Sequence, residues 1–171
     1  EPEDNFLHKV RKLADDNNIV LVFDECTSGF RKNYGGLHKL YDVEPDVAMF
    51  GKALGNGFAV TAVLGKEEVM KAAEKSFISS TFWTERIGSS AALATLKVMQ
   101  REKSWEKITN TGEKINTAWI ALSKEFDLPI TISGLSALTT FTFKSDNALA
   151  YKTLITQEML KKGYLAATAV Y

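Results

Sequence analysis

Apolar and polar positions along the chain follow two different periods, and the switches between them outline the elements. In "EDNFLHKVRKLADDNN" the residues Phe6, Leu7, Val10 and Leu13 recur at helical spacing, so this segment predicts an amphipathic helix. "IVLVF" (19–23) is a continuous β-branched run without polar alternation, the pattern of a parallel strand buried on both faces. "DVAMF" (46–50) predicts a second buried strand and "FAVTAVLG" (58–65) a third, followed by a helix over "KEEVMKAAEK". Strands and helices alternating in this way predict an α/β sheet.

After the Ser-rich stretch "SFISSTFWTERIG", two helices are expected over 87–102 and 104–125, with Ser104 as the N-cap of the second. "PITISG", "ALTTFTFK" and "YLAATAVY" then predict strands of a smaller α+β unit. The helix "NALAYKTLITQEMLKKG" lies between the last two, with Gly163 as its C-cap. We therefore expect residues 1–104 to be part of a larger domain, and 105–171 a helical connection and an incomplete small C-terminal domain. The chain opens without methionine and stops inside a strand pattern, which predicts a fragment of a longer protein.

Composition narrows the classes. With 45% hydrophobic and 25% charged residues over 171 positions, the chain can bury a core. Lys and Arg (21) balance Asp and Glu (21), so no nucleic-acid footprint is expected. No apolar run reaches the length of a membrane span. The single cysteine, Cys26, excludes an internal disulfide and suits a reducing cytoplasm. His8 and His38 stand isolated, without metal-ligand spacing, so no metal is expected.

Candidate chemistry lies at the strand ends. The first strand runs into Asp24-Glu25, and the second into Gly51-Lys52, with Gly55 and Gly57 close behind. In a parallel sheet both ends open onto one crevice. Pyridoxal phosphate needs such a pair: an amine to condense with its aldehyde, and an acid to keep its pyridine nitrogen protonated. A partly desolvated, Gly-lined turn is expected to favour the uncharged lysine and to let a flat cofactor lie against the backbone. A strand ending in Asp-Glu also fits the magnesium-holding strand of a nucleotide hydrolase. That reading requires a G-x-x-x-x-G-K-[ST] loop, which the chain lacks.

Taken together, "LVFDECTSGFR", "YGGLHKLYDVEPDVAMFGKALGNG" and "STFWTERIGSSAALATL" resemble the class III aminotransferases, which are fold-type I pyridoxal-phosphate enzymes. Within them the chain is most similar to the branch containing glutamate-1-semialdehyde 2,1-aminomutase. The resemblance implies the second half of a three-layer large domain followed by a small domain. It also implies pyridoxal 5'-phosphate as cofactor, a small amino compound or amino acid as substrate, and a cytoplasmic homodimer. It assigns Asp24 to the pyridinium nitrogen and Lys52 to the Schiff base and the proton shuttle. Cys26 falls against the ring face, and Thr27 near the ring's phenolic oxygen. Thr81 matches the threonine that reaches the phosphate of the neighbouring subunit's cofactor.

Two stretches depart from the aminomutase pattern. After Thr81 it has Leu-Ser-Gly-Asn-Pro where this chain has "FWTERI", so Phe82 and Trp83 make the loop bulkier. After the lysine glycines it has Met-Pro-Val-Gly where this chain has "FAVTA". These changes leave the substrate open, including a transaminase acting on a sugar or another amino donor. A non-catalytic chain is the other alternative, since the family's phosphate loop and ring-stacking aromatic precede residue 1. Glu85-Arg86 admits a contact to a substrate carboxylate, or else a surface ion pair or a charge at a helix start.

Overall fold

The computed structural model describes residues 2–82 and 84–169. It forms two compact units, 1–104 and 105–171.

The first unit holds helix α1 (Phe6–Asp16), strands β1 (Val22–Asp24), β2 (Val47–Phe50) and β3 (Ala62–Gly65), the short α2 (Glu67–Met70) and α3 (Ile87–Glu102). The sheet order is β1-β2-β3. β1 runs parallel to β2, pairing Val22 with Val47 and Asp24 with Met49. β3 is antiparallel to β2, pairing Val47 with Gly65 and Phe50 with Ala62. As the central strand, β2 is the buried one. Ala48 and Phe50 form the core with Leu54 and Ala92, flanked by Phe30, Val60, Ala62 and Leu96. The Phe30 and Phe50 rings lie 5.6 Å apart.

Asp46, just before β2, ties this unit together. Its carboxylate accepts from the Leu21 amide (2.8 Å), from Arg11 of α1 (2.9 Å) and from Lys66 beyond β3 (2.7 Å). Lys66 above all, then the Leu21 amide and Arg11, hold this carboxyl far below its ordinary value against the opposing effect of burial.

Several expectations are corrected here. β1 is shorter than "IVLVF" and is not buried on both faces, since Ile19, Val20 and Val22 are exposed, Val22 by 48%. A parallel strand is buried only when covered above and below, and β1 is an edge of this three-stranded sheet. α1 forms as expected, yet its stripe is largely open, with Phe6 and Leu13 exposed and only Ala14 buried. Residues 58–61 stay outside β3, and "KEEVMKAAEK" becomes one α-turn passing into a 3-10 turn at Lys71–Lys75.

The second unit holds α4 (Ser104–Glu125), the antiparallel pair β4 (Ile130–Ser133) and β5 (Thr140–Phe143), and α5 (Ala148–Lys161). Lys103 takes a left-handed φ of 47° and separates α3 from α4, so Ser104 is the first helical residue rather than the cap. Trp119 meets Phe141 edge-on at 4.8 Å, and the aromatic packing continues through Phe143 to Tyr151. Thr139 is fully buried, and its hydroxyl donates to Asn116 Oδ1. α5 ends on Gly163 at φ 84°, where the Gly163 and Tyr164 amides donate to the Leu160 and Met159 carbonyls (2.9 Å each). This pattern closes a helix C-terminus and requires the left-handed glycine. The third expected strand reduces to one bridge, Thr140 to Ala169, while residues 170 and 171 lie outside the described ones. Among the described residues no helix is long and apolar enough to cross a membrane.

Candidate active site

The parallel register of β1 and β2 places their C-terminal ends side by side. Asp24 is the last residue of β1, and the Glu25 amide extends the ladder by donating to the Met49 carbonyl (2.9 Å). β2 then delivers Phe50, Gly51 and Lys52. Lys52 opens a 3-10 turn, Lys52–Leu54, with a left-handed φ of 41°. A non-glycine residue loses roughly 1–2 kcal/mol in that conformation, so the surroundings must impose it. They do so through the Leu54 amide on the Gly51 carbonyl (2.9 Å) and the Asn56 amide on the Lys52 carbonyl (3.0 Å), with Ala53 and Leu54 buried beneath.

At the tip, the Lys52 Nζ donates to Thr27 Oγ1 at 2.5 Å. Asp24 Oδ1 accepts from the Cys26 amide at 3.0 Å. That amide first, then the Cys26 thiol, and also the Lys52 charge hold the Asp24 carboxyl below its ordinary value. In turn Asp24 pushes the Cys26 thiol up, so Cys26 stays protonated. The structure therefore brings Asp24, Cys26, Thr27 and Lys52 into one cluster. Thr81 does not join it: it is exposed on the loop between α2 and α3, and its hydroxyl makes no hydrogen bond among the described residues. Phe82 on the same loop is exposed, and Trp83 lies outside the described residues.

Two expectations about Lys52 change. The lysine is exposed, not partly desolvated. Its glycines serve the turn: a Cβ on Gly55 would stand 2.2 Å from the Phe58 carbonyl oxygen, and Gly57 holds φ 99°. Gly51 is less constrained, since a Cβ there would stand 3.5 Å from Cys26 Sγ and its φ of −161° is extended.

Sequence reasoning named Glu25 as part of the strand-end pair but missed that it shapes this loop. Glu25 is buried; its carboxylate accepts from the His38 amide (2.9 Å), lies 3.0 Å from His38 Nδ1, and accepts from the Ser28 hydroxyl. Burial opposes its charge, but Ser28, the amides of His38 and Leu37, and the His38 ring together keep the carboxyl below its ordinary value. His38 is thus not isolated but buried against Glu25. The spacing of Ser28 three residues after Glu25 is the one local signal; the partner 13 positions on leaves none. Glu85 stands at the start of α3, its carboxylate accepting from the Ile87 (2.6 Å) and Gly88 (3.2 Å) amides.

The cluster's chemistry fits the ring of pyridoxal phosphate. A carboxylate kept ionised can face a ring nitrogen, an exposed amine can reach an aldehyde, and a protonated thiol offers a soft surface between them. Among the described residues no group of three or more His, Cys, Asp or Glu could hold a metal ion. A cavity of about 770 Å³ in this unit is lined by neither Asp24 nor Lys52. It is an apolar groove lined by Phe30, Tyr34, Ala48, Phe50 and Leu96.

Comparison with known proteins agrees with this fit. The pattern of the family Aminotransferase class-III matches residues 1–169, and the chain belongs to that family, whose members use pyridoxal phosphate. It is 38% identical over 157 residues to 3-aminobutyryl-CoA aminotransferase of Cloacimonas acidaminovorans (strain Evry), covering 91% of this chain and 38% of that protein. It is 32% identical over 186 residues to glutamate-1-semialdehyde 2,1-aminomutase of Nitrosopumilus maritimus (strain SCM1), covering 99% and 44%. The chain thus spans about two fifths of the length of the curated relatives it matches. Two solved structures share its fold. One is the FumI protein of Sphingopyxis sp. MTA144 in its PLP internal aldimine form (TM-score 0.87, 24% identity, 96% of this chain and 40% of that one). The other is an omega-transaminase from Sphaerobacter thermophilus (TM-score 0.86, 23% identity, 99% and 43%). The fold is accordingly that of fold-type I transaminases.

Proposed function

We propose that the protein transfers an amino group to or within a small molecule, with pyridoxal 5'-phosphate held at the ends of β1 and β2. The observation that carries this reading is the placement of the ionised Asp24 and the Lys52 amine on neighbouring parallel strand ends. Bound there, the cofactor supplies an aldehyde that condenses with amines and a ring that withdraws electrons from the adjacent carbon. Asp24 holds a proton on the ring nitrogen, and its depressed carboxyl keeps the negative charge this requires at neutral pH. Lys52 Nζ would carry a proton between the substrate carbon and the cofactor's C4′, and the fixed turn beneath it limits where that nitrogen can reach. Cys26 lines the ring face. Thr81 reaches the phosphate of the neighbouring site in a cytoplasmic homodimer.

Within this class, an intramolecular amino shift like that of the aminomutase is supported by the relative that matches 99% of the chain. Transfer between two molecules is favoured by the higher identity to a 3-aminobutyryl-CoA aminotransferase and by the "FWTERI" departure. One assay separates them. The protein, loaded with pyridoxal phosphate, is given glutamate-1-semialdehyde alone, or 3-aminobutyryl-CoA with a keto acid acceptor. Conversion of the first without a second substrate supports the shift, and acceptor-dependent conversion of the second supports transfer. Product formed equally well by the Lys52→Ala variant would overturn both.

A further inference from the structure

Lys52 and Asp24 raise a problem that their proximity creates. An exposed ammonium beside a carboxylate closes into an ion pair, which would engage the two groups with each other instead of with a ligand. In this structure it does not: among the described residues the Lys52 Nζ makes no ion pair with Asp24, and the hydrogen bond it makes goes to the uncharged Thr27 hydroxyl at 2.5 Å. Asp24 is instead turned onto the Cys26 amide.

The Thr27 hydroxyl is well placed for this because both neighbours of Thr27 are fixed. Cys26 is bonded to Asp24 through its amide, and Ser28 is bonded to the buried Glu25 through its hydroxyl. The Gly29 amide closes the same turn onto the Glu25 carbonyl (2.8 Å). On the other side, Lys52 projects from a backbone held at φ 41°. Two constrained turns therefore meet through one side-chain hydrogen bond.

We propose that Thr27 is a positioning residue that holds the Lys52 amine beside the Asp24 carboxylate but off it. The amine is thus kept ready for an aldehyde while Asp24 stays free for a ring nitrogen. This rests on the pyridoxal-phosphate reading above and adds a role for a residue that does not itself react.

The test compares the unsubstituted chain, Thr27→Val and Thr27→Ser by two readouts. The first is the rate at which pyridoxal phosphate is captured on Lys52, quenched with borohydride and located by peptide mass spectrometry. Thr27→Val should capture about fivefold more slowly, the scale of one charge-assisted hydrogen bond at an exposed position, and Thr27→Ser should recover most of the rate. The second is the ammonium NMR signal of Lys52 in cofactor-free, nitrogen-15-labelled protein, assigned by its loss in Lys52→Arg. It should be resolved in the unsubstituted chain and in Thr27→Ser, and lost to water exchange in Thr27→Val. Capture by Thr27→Val at the unsubstituted rate, or an unchanged ammonium signal, overturns the positioning role and leaves the proposed function standing. Failure of the unsubstituted chain to capture the cofactor, with the ammonium signals behaving as expected, overturns the proposed function and leaves the Thr27 hold in place.

Discussion

The strand-end cluster and the loop carrying Thr81 form two contrasting parts of the candidate site. Around Asp24 and Lys52 nearly every polar group has a partner: Glu25 binds Ser28 and His38, Asp24 binds Cys26, and Lys52 binds Thr27. On the Thr81 loop, Phe77 is 94% exposed, Phe82 is also open, and the Thr81 hydroxyl is without a hydrogen bond among the described residues. The first region is shaped by its own carboxylates and backbone turns. The second is exposed and draws little shape from its own unit.

If that contrast is right, substitutions should grade accordingly. The largest effect is expected at Asp24: Asp24→Asn should lower amino-transfer turnover about a hundredfold, as for loss of one preorganised electrostatic partner, with the fold retained by circular dichroism. Next is Asp46, whose three partners lie on α1, just before β1 and just after β3. Asp46→Asn should cost about 2–3 kcal/mol in urea unfolding at pH 7. Its folded carboxyl lies below the unfolded value of about 3.9, so its contribution is complete above that value and is lost as pH falls below it. The unsubstituted first unit should therefore weaken as pH drops below about 4, and Asp46→Asn should show a flatter acid limb.

Glu25→Gln should cost about 1–3 kcal/mol by the same measurement, since it turns amide hydrogens toward the His38 and Ser28 donors. The smallest effect is expected at Thr81, where Thr81→Ala should change stability by less than about 0.5 kcal/mol. A Thr81 variant as destabilised as the Glu25 variant would erase the contrast between the two regions.

What can be read from the sequence follows a physical line. The β2 run, the Lys52 turn and the α3–α4 break are local signals, and each appears where the pattern puts it. The Asp24–Lys52 meeting is legible because parallel pairing of two apolar runs brings their ends together. The Glu25–His38 contact is not, because a buried polar pair across a loop leaves no periodic trace. The sequence overstates burial of β1, because an apolar run reports what a strand can bury rather than what covers it. The glycines after Lys52 are visible, but their purpose lies in the Phe58 carbonyl and a positive φ that only the folded chain displays.

The central claim is that the β1 and β2 ends present Lys52 to pyridoxal phosphate. The most direct test is to add the cofactor to the chain, reduce with borohydride, and map the pyridoxyl group by peptide mass spectrometry, with Lys52→Ala alongside. The account predicts one stoichiometric label on Lys52, absent from the variant. A label scattered over surface lysines, equal in both proteins, would contradict it.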